Sequence, residues 1–508
     1  MSSNESKMKS LLQPWVWITI LMGFLFSLLS WKIMSLDFRY ALAACAAVGV
    51  VSCAMAAIWF IDDFLVYVLV FNIPFSIFGK WLMAHPIAVP AKGISIGLAE
   101  LILTIAYGMW FFKIFVIRSE PLPSLTKLDF LIMFLIICQM ISLIGAPDKA
   151  LAFFDIVYNI KYALIYFFLA HKVRRRHLKW IIVMICFAIM MQGSLAIYER
   201  MTGNVAIGVT KGNVKSEKFG TQGKVPGVED EIRGAGTTID PHSLGLYLAM
   251  TLPFPLVFLM MHYAKPSRKL LCGLVFLIGI GGLIVTFSRS GWLSFAISSL
   301  FAIWFIFFRW LHDRGIFALL AILLVLTPFY PKFFNIIDKK LFNAPSSLID
   351  VRIDMAKTAL NIWMHDPFFG YGAGNYLEAI DDPDIINYGH YGKMADRPVH
   401  NAYLWLLAEI GLFGMLSYVG IIFMAMAKCF RYLNSHDGLI KGMALALLSG
   451  FIAYLLDGMT NMMFREAVPY AQLWTAIALS MGLERFIKEA KKPGNSANTM
   501  RTEGLPAA

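Results

Sequence analysis

His400 and Asn401 follow Arg397-Pro398-Val399 and open the apolar run HNAYLWLLAEIGLFG at 400–414. Proline favours an extended entry, so both residues are expected at the N-terminus of a helix, where lipid meets water. The positive end of the helix dipole disfavours an imidazolium there and leaves a neutral ring able to accept a proton. A histidine at such an interface is more often structural than catalytic, and its neighbours must tip that balance. Arg289 lies between two serines in TFSRSGW at 286–292, at the end of an apolar run. A guanidinium at that depth is costly unless it meets an anion or an internal partner. Arg352 sits in SSLIDVRIDMAKTALNIWMH at 346–365, and Arg233 in IRGAGTTIDPH at 232–242. Arginine grips phosphate oxygens through a planar fork, and a diphosphate has several such oxygens to satisfy. Contacts to lipid headgroups or to aspartates would account for Arg233 and Arg352 equally well.

These residues need elements that bring them to one membrane face. The chain is 59% apolar and 15% charged, with a mean hydropathy of +0.67; a soluble domain carries about a quarter charged residues. Runs near the length needed to cross ~30 Å of hydrocarbon recur along it. They lack the alternation of barrel strands, so the expected fold is an all-α, polytopic transmembrane helical bundle of about fourteen helices. The expected spans are 15–31, 40–60, 64–79, 96–116, 129–145, 153–170, 180–198, 242–263, 270–287, 291–310, 316–330, 401–426, 440–462 and 468–484. The shortest, 64–79 and 316–330, are the weakest of them.

Positive charge gives the sidedness. The cluster KVRRRHLK at 172–179, Arg118, Lys127, Arg268, Lys269, Arg309, Arg314, Lys428, Arg431 and both tails fall on one side. Few lysines or arginines fall in the short loops on the other side. Both termini are therefore expected to be cytoplasmic. The net charge of +12 follows this asymmetry and the cluster at 172–179 reads as an anchor on anionic lipid, so no nucleic-acid partner is implied. All six cysteines lie in or beside apolar runs, which gives no disulfide framework and no zinc pattern.

The chain then divides into helices at 1–198, an outer loop at 199–241, helices at 242–330, a long outer loop at 331–400, helices at 401–485 and a cytoplasmic tail at 486–508. Within the first loop, 211–231 reads as mobile. The second loop contains an amphipathic helix at 346–365 with an apolar stripe of Ile349, Ile353, Ala356, Leu360 and Trp363, ended by Pro367 and the Gly370 to Gly374 turn. Such a helix could lie on the membrane surface or cap a cavity. Glu409 lies ~13 Å along its helix from His400, too deep to orient that ring. It reads as a bond between helices, as do the embedded Lys161 and Asp457. Asp381-Asp382-Pro383-Asp384 reads as a solvated acidic turn rather than a metal site, and His365 and His390 stand as reserve candidates.

The order of Arg289, then Arg352 with WMHDPFFGYGAGNY (363–376), then HNAYLWLLAEIGLFG resembles the O-antigen ligase family and its relatives, the O-antigen polymerases and protein O-glycosylation ligases. The specific likeness covers about 230–415. Asp240-Pro241-His242 departs from the family pattern, in which an Asn follows the proline in many relatives. The resemblance implies a glycosyltransferase of the bacterial inner membrane whose active site faces the periplasm, with an undecaprenyl-diphosphate-linked glycan as donor and a glycolipid, lipid A-core, as acceptor. By it, His400 matches the essential histidine and serves as general base. Arg289 and Arg352 match the essential arginines on the diphosphate, and beyond the resemblance Arg233 is a further candidate for binding it, with Asn401 and Arg397 as candidates for support. No cofactor or metal is implied, and the chain has no Walker loop. A lipid-linked glycan flippase would have a similar number of spans, but it should show repeated halves and charges near the midplane. Here the distinctive polar residues gather in two outer loops.

Overall fold

The computed structural model describes residues 61–75, 80–84, 93–96, 98–203, 224–225, 228–238, 240–261, 266–307, 346–382 and 399–490. The expected spans 15–31, 40–60 and 316–330, with Arg397, His390 and most of the stretch 211–231, lie outside the described residues. The described residues are helical, with two small antiparallel hairpins among them, β1 (Lys80–Ala84) with β2 (Gly93–Ile96) and β3 (Lys224–Val225) with β4 (Val228–Ile232). Among the described residues nine helices are long and apolar enough to cross a membrane.

The residues form two units. In the first, residues 1–66 and 104–123, the Lys113 ammonium is buried against Asp62 at 2.7 Å, the partner a cation needs in an apolar setting. The candidate site lies in the second unit, residues 67–103 and 124–508.

The helices in chain order are α1 (Ile61–Asn72), α2 (Leu98–Phe111), α3 (Lys127–Gly145), α4 (Lys149–Lys172), α5 (Leu178–Thr202), α6 (Pro241–Thr251), α7 (Pro253–Met260), α8 (Pro266–Val285), α9 (Arg289–Ile306), α10 (Ser346–His365), α11 (Tyr376–Asp381), α12 (Ala402–Tyr432), α13 (Gly438–Gly458) and α14 (Ala467–Ala490). The described part of the span expected at 64–79 ends at Asn72, ahead of Pro74. That expected at 242–263 is broken at Pro253, which cannot donate a helical hydrogen bond and starts α7 instead. Helix starts follow the sequence. Thr126 and Asp129 form a reciprocal capping box on α3, and Asp148, Asp240, Ser288, Asn401 and Asp437 cap α4, α6, α9, α12 and α13 through their side chains, each satisfying backbone donors the helix leaves open. α6, α7, α13 and α14 are the most enclosed, whereas α3, α5, α8 and α9 leave one side apolar and exposed, as a lipid-facing rim does.

Two features of the second outer loop go beyond what its sequence specifies. On α10 the buried face is Met355, Ala359 and Ile362, while Ile353, Leu360 and Met364 are exposed. The helix carries two apolar ridges, and the bundle takes the one the stripe did not include. The turn after α10 is docked among the helices rather than held apart from them. α12 is interrupted at Gly411, where φ is 66° and ψ −171°, and residues 367–372 fill the break. Tyr371 and Gly372 N–H donate to the Ala408 and Glu409 carbonyls at 2.9 and 3.0 Å. Leu412 and Phe413 N–H donate to the Pro367 and Phe368 carbonyls at 2.9 and 3.3 Å. Broken helix at membrane depth survives when other backbone meets its polar groups, and this loop does so. Asn375 clasps the same turn to the start of α4, accepting from Asp148 N–H at 2.8 Å and donating to Asp148 O at 3.1 Å.

Only glycine adopts the Gly411 backbone conformation readily, and a Cβ there would fall on the Phe368 carbonyl. Gly411→Ala is therefore expected to cost about 2 kcal/mol. A thermal melt of the purified variant in detergent would test it, and a wild-type melting point would show that the break has slack.

Candidate active site

The candidate residues gather at one end of the second unit, where α6, α9, α12 and α14 start and α8 and α13 end. Arg289 is the first residue of α9, next to its cap Ser288, and is exposed. The turn before it is tight, with Phe287 held at φ 51° and Trp292 Nε1 donating to Leu283 O at 2.8 Å. Arg352 lies on α10 within electrostatic reach of Arg289. Partial burial and then the Arg289 charge push its guanidinium below the ordinary value. His400 is half-buried, one residue before the cap of α12.

Asn401 is a structural clasp. Its side-chain oxygen accepts from Tyr403 and Leu404 N–H, each at 3.0 Å, and its Nδ2 donates to Met459 O at 3.1 Å. Tyr403 Oη reaches the Leu455 carbonyl at 2.7 Å, so the start of α12 is pinned to the end of α13.

Arg233 is buried and its fork is occupied. Nε donates to Thr286 O at 2.8 Å, and both terminal nitrogens face His242 Nε2 at 3.4 Å. Burial depresses this guanidinium first, Arg289 adds to that, and Asp240 opposes it. Asp240 also caps α6 by accepting from His242 and Ser243 N–H at 3.1 and 3.3 Å. His242 has Asp240, Arg233, His400 and Arg289 within electrostatic range. The structure thus brings Arg233, Arg289, Arg352 and His400 into one neighbourhood, with His242 beside Arg233, Arg289 and His400.

Three further residues line this end. Asp457 and Asn461 at the end of α13 reach Ser290, with Asn461 Nδ2 donating to Ser290 Oγ at 2.5 Å. Glu466, just before α14, faces Asp240 and Ser243, and burial followed by the Asp240 charge pushes its carboxyl up to about 7. The only hint of Glu466 in the sequence is an acidic residue in a short outer loop beside Arg465. His365 lies on the surface and bonds Asp366 at 2.9 Å, and Asp382 accepts from Tyr371 Oη at 2.7 Å. Among the described residues no group of three or more His, Cys, Asp or Glu could hold a metal ion.

Apolar helices of this number, with a cationic and histidine-bearing end, define a multi-pass membrane protein. Residues 274–419 match the family model described as O-antigen ligase. That stretch contains Arg289, Arg352, the docked turn and His400, and it bears out the resemblance read from those motifs. No curated protein matches the chain. The match supports activity of the O-antigen ligase or polymerase type.

Proposed function

We propose that the protein is an O-antigen ligase of the bacterial inner membrane, moving a glycan from undecaprenyl diphosphate to a hydroxyl of lipid A-core on the periplasmic face, with both termini cytoplasmic. The observation that supports this best is the convergence of Arg289, Arg352 and His400 from three separate segments within the family-matched stretch. The acceptor oxygen attacks the anomeric carbon while His400 takes the hydroxyl proton. The bond from that carbon to the diphosphate oxygen breaks, and the diphosphate leaves with its electron pair. Direct displacement inverts the anomeric carbon. Arg289 and Arg352 face the leaving group, where positive charge counts most as negative charge develops. Arg233 contributes its charge, but its fork is spent on Thr286 O and His242, so it supports the pocket rather than gripping the donor. α10 presents one apolar ridge to the bundle and leaves another exposed, which suits a helix between protein and lipid where a lipid-linked substrate arrives.

Ligase and polymerase share a donor and differ in what presents the attacking hydroxyl. Deleting the gene should leave long polymer on undecaprenyl diphosphate and none on lipid A-core. Single repeats accumulating on the carrier or the core would make the protein the polymerase. Loss of all glycan from the periplasmic face would instead indicate a flippase.

A further inference from the structure

A chain of hydrogen bonds runs beneath Arg289, and its polarity is fixed from one end. Arginine can only donate, so Arg233 makes His242 Nε2 an acceptor and leaves the ring proton on Nδ1. Nδ1–H then donates to Ser288 Oγ at 3.1 Å. Ser288 Oγ also accepts from Gly291 N–H at 3.3 Å, which fills its lone pairs and sends its own proton to Ser290 Oγ at 3.3 Å. Ser290 accepts a second bond from Asn461, so its proton goes to Asp457. Asn461 Nδ2 also faces both Asp457 oxygens, at 3.2 and 3.3 Å.

Asp457 is buried and closes this chain on the two serines that flank Arg289. The same short segment, Leu455 to Asn461, carries the carbonyls that hold Tyr403 and Asn401, and so sets where α12 begins and where His400 stands. Gly458 lets the two helices approach, since a Cβ there would lie 3.3 Å from Tyr403 Oη.

We propose that Asp457 is a positioning residue that holds Arg289, through Ser290 and Ser288, at a set distance from His400. This rests on the reading of Arg289 as a diphosphate ligand. Its consequence is energetic coupling between two residues on different helices. Residues that act through one network show non-additive losses, whereas independent ones add.

The test uses the full-length protein purified in detergent and titrated with farnesyl diphosphate, a soluble prenyl diphosphate. Asp457→Leu should weaken binding about tenfold, the scale of one lost bond to a charged group. Asp457→Asn, which keeps an oxygen for Ser290, should recover most of it. In an Arg289→Ala background Asp457→Leu should cause little further loss. If Asp457→Leu does not fold, Ser290→Ala cuts the same chain and enters the same cycle. Losses that simply add, or wild-type binding by Asp457→Leu, would overturn the positioning role while leaving Arg289 as the ligand. If the wild type binds no farnesyl diphosphate, the diphosphate reading falls, and this proposal with it.

Discussion

His400→Ala should lower glycan transfer by about 10²- to 10⁴-fold, the usual contribution of a positioned general base, with protein level and membrane insertion unchanged. The ring sits before the cap of α12 rather than inside it, and Asn401 carries the capping bonds, so the helix keeps its cap in this variant. The other histidine nearby is poorly suited to the same task. His242 accepts from Arg233 at one nitrogen and bonds Ser288 at the other, and a ring with both nitrogens engaged has no site left for a substrate proton. His242→Gln, which can keep an acceptor toward Arg233, should therefore retain far more transfer than His400→Ala. The measurement is transfer to lipid A-core by membranes carrying each variant at matched protein level. Near-normal transfer by His400→Ala would remove it from the mechanism and turn attention to His365 and His390. A greater loss in His242→Gln than in His400→Ala would reverse the assignment of the base.

Much of this site was legible because its parts announce themselves locally. An arginine between serines at the end of an apolar run, and a histidine after proline at the start of another, must lie at a membrane boundary whatever the packing. What sequence could not supply was the partner of each group. Arg233 reads equally as a phosphate ligand or as a partner of headgroups or aspartates, and only the structure puts its Nε on Thr286 O and its terminal nitrogens beside His242, a residue that stands out in the sequence only as a departure from a pattern. Asp457 reads from sequence as an embedded charge that bonds between helices, and it does so with Ser290. Its reach to Ser290 depends on how α9 and α13 pack, which no local spacing encodes.

The helical architecture was legible from the apolar runs, because lipid leaves the chain few alternatives. The break in α12 was not. HNAYLWLLAEIGLFG reads as continuous helix, and a glycine such as Gly411 costs only about 1 kcal/mol in a helix interior, too little to announce a break. The break exists because another segment brings backbone partners to it. The sequence left open which side of α10 meets the bundle, since the helix carries two apolar ridges and local spacing does not choose between them. Glu409 shows the other side of this. Its depth along α12 excluded a role with His400, and the structure pairs it with Arg465.

That pair belongs to a buried triad, and breaking it should have the largest effect on stability. Arg465 lies between the Asp155 and Glu409 carboxylates, and all three are almost fully enclosed, at 4%, 4% and 1% exposure. It thereby joins α4, α12 and the segment before α14. Its ring neighbours are Phe464 and Trp405, at 4.9 and 5.7 Å. Glu409 also accepts from Tyr376 N–H at 3.2 Å, so the triad reaches the docked turn that fills the Gly411 break. Arg465→Met would strand two carboxylates without a counter-charge, a loss of about 3–5 kcal/mol for a buried pair. Folding is expected to fail or the melting point to fall steeply. The charge itself is the cause, so removing all of it should relieve the defect. Glu409→Gln keeps an acceptor for Tyr376 N–H, and Asp155→Asn keeps the shape of its side chain. The triple variant with Arg465→Met should then melt closer to the wild type than Arg465→Met does. Thermal melts of the three proteins in one detergent decide the matter. A single variant that melts like the wild type, or a triple variant no better than the single, would show that the triad does not hold these helices together.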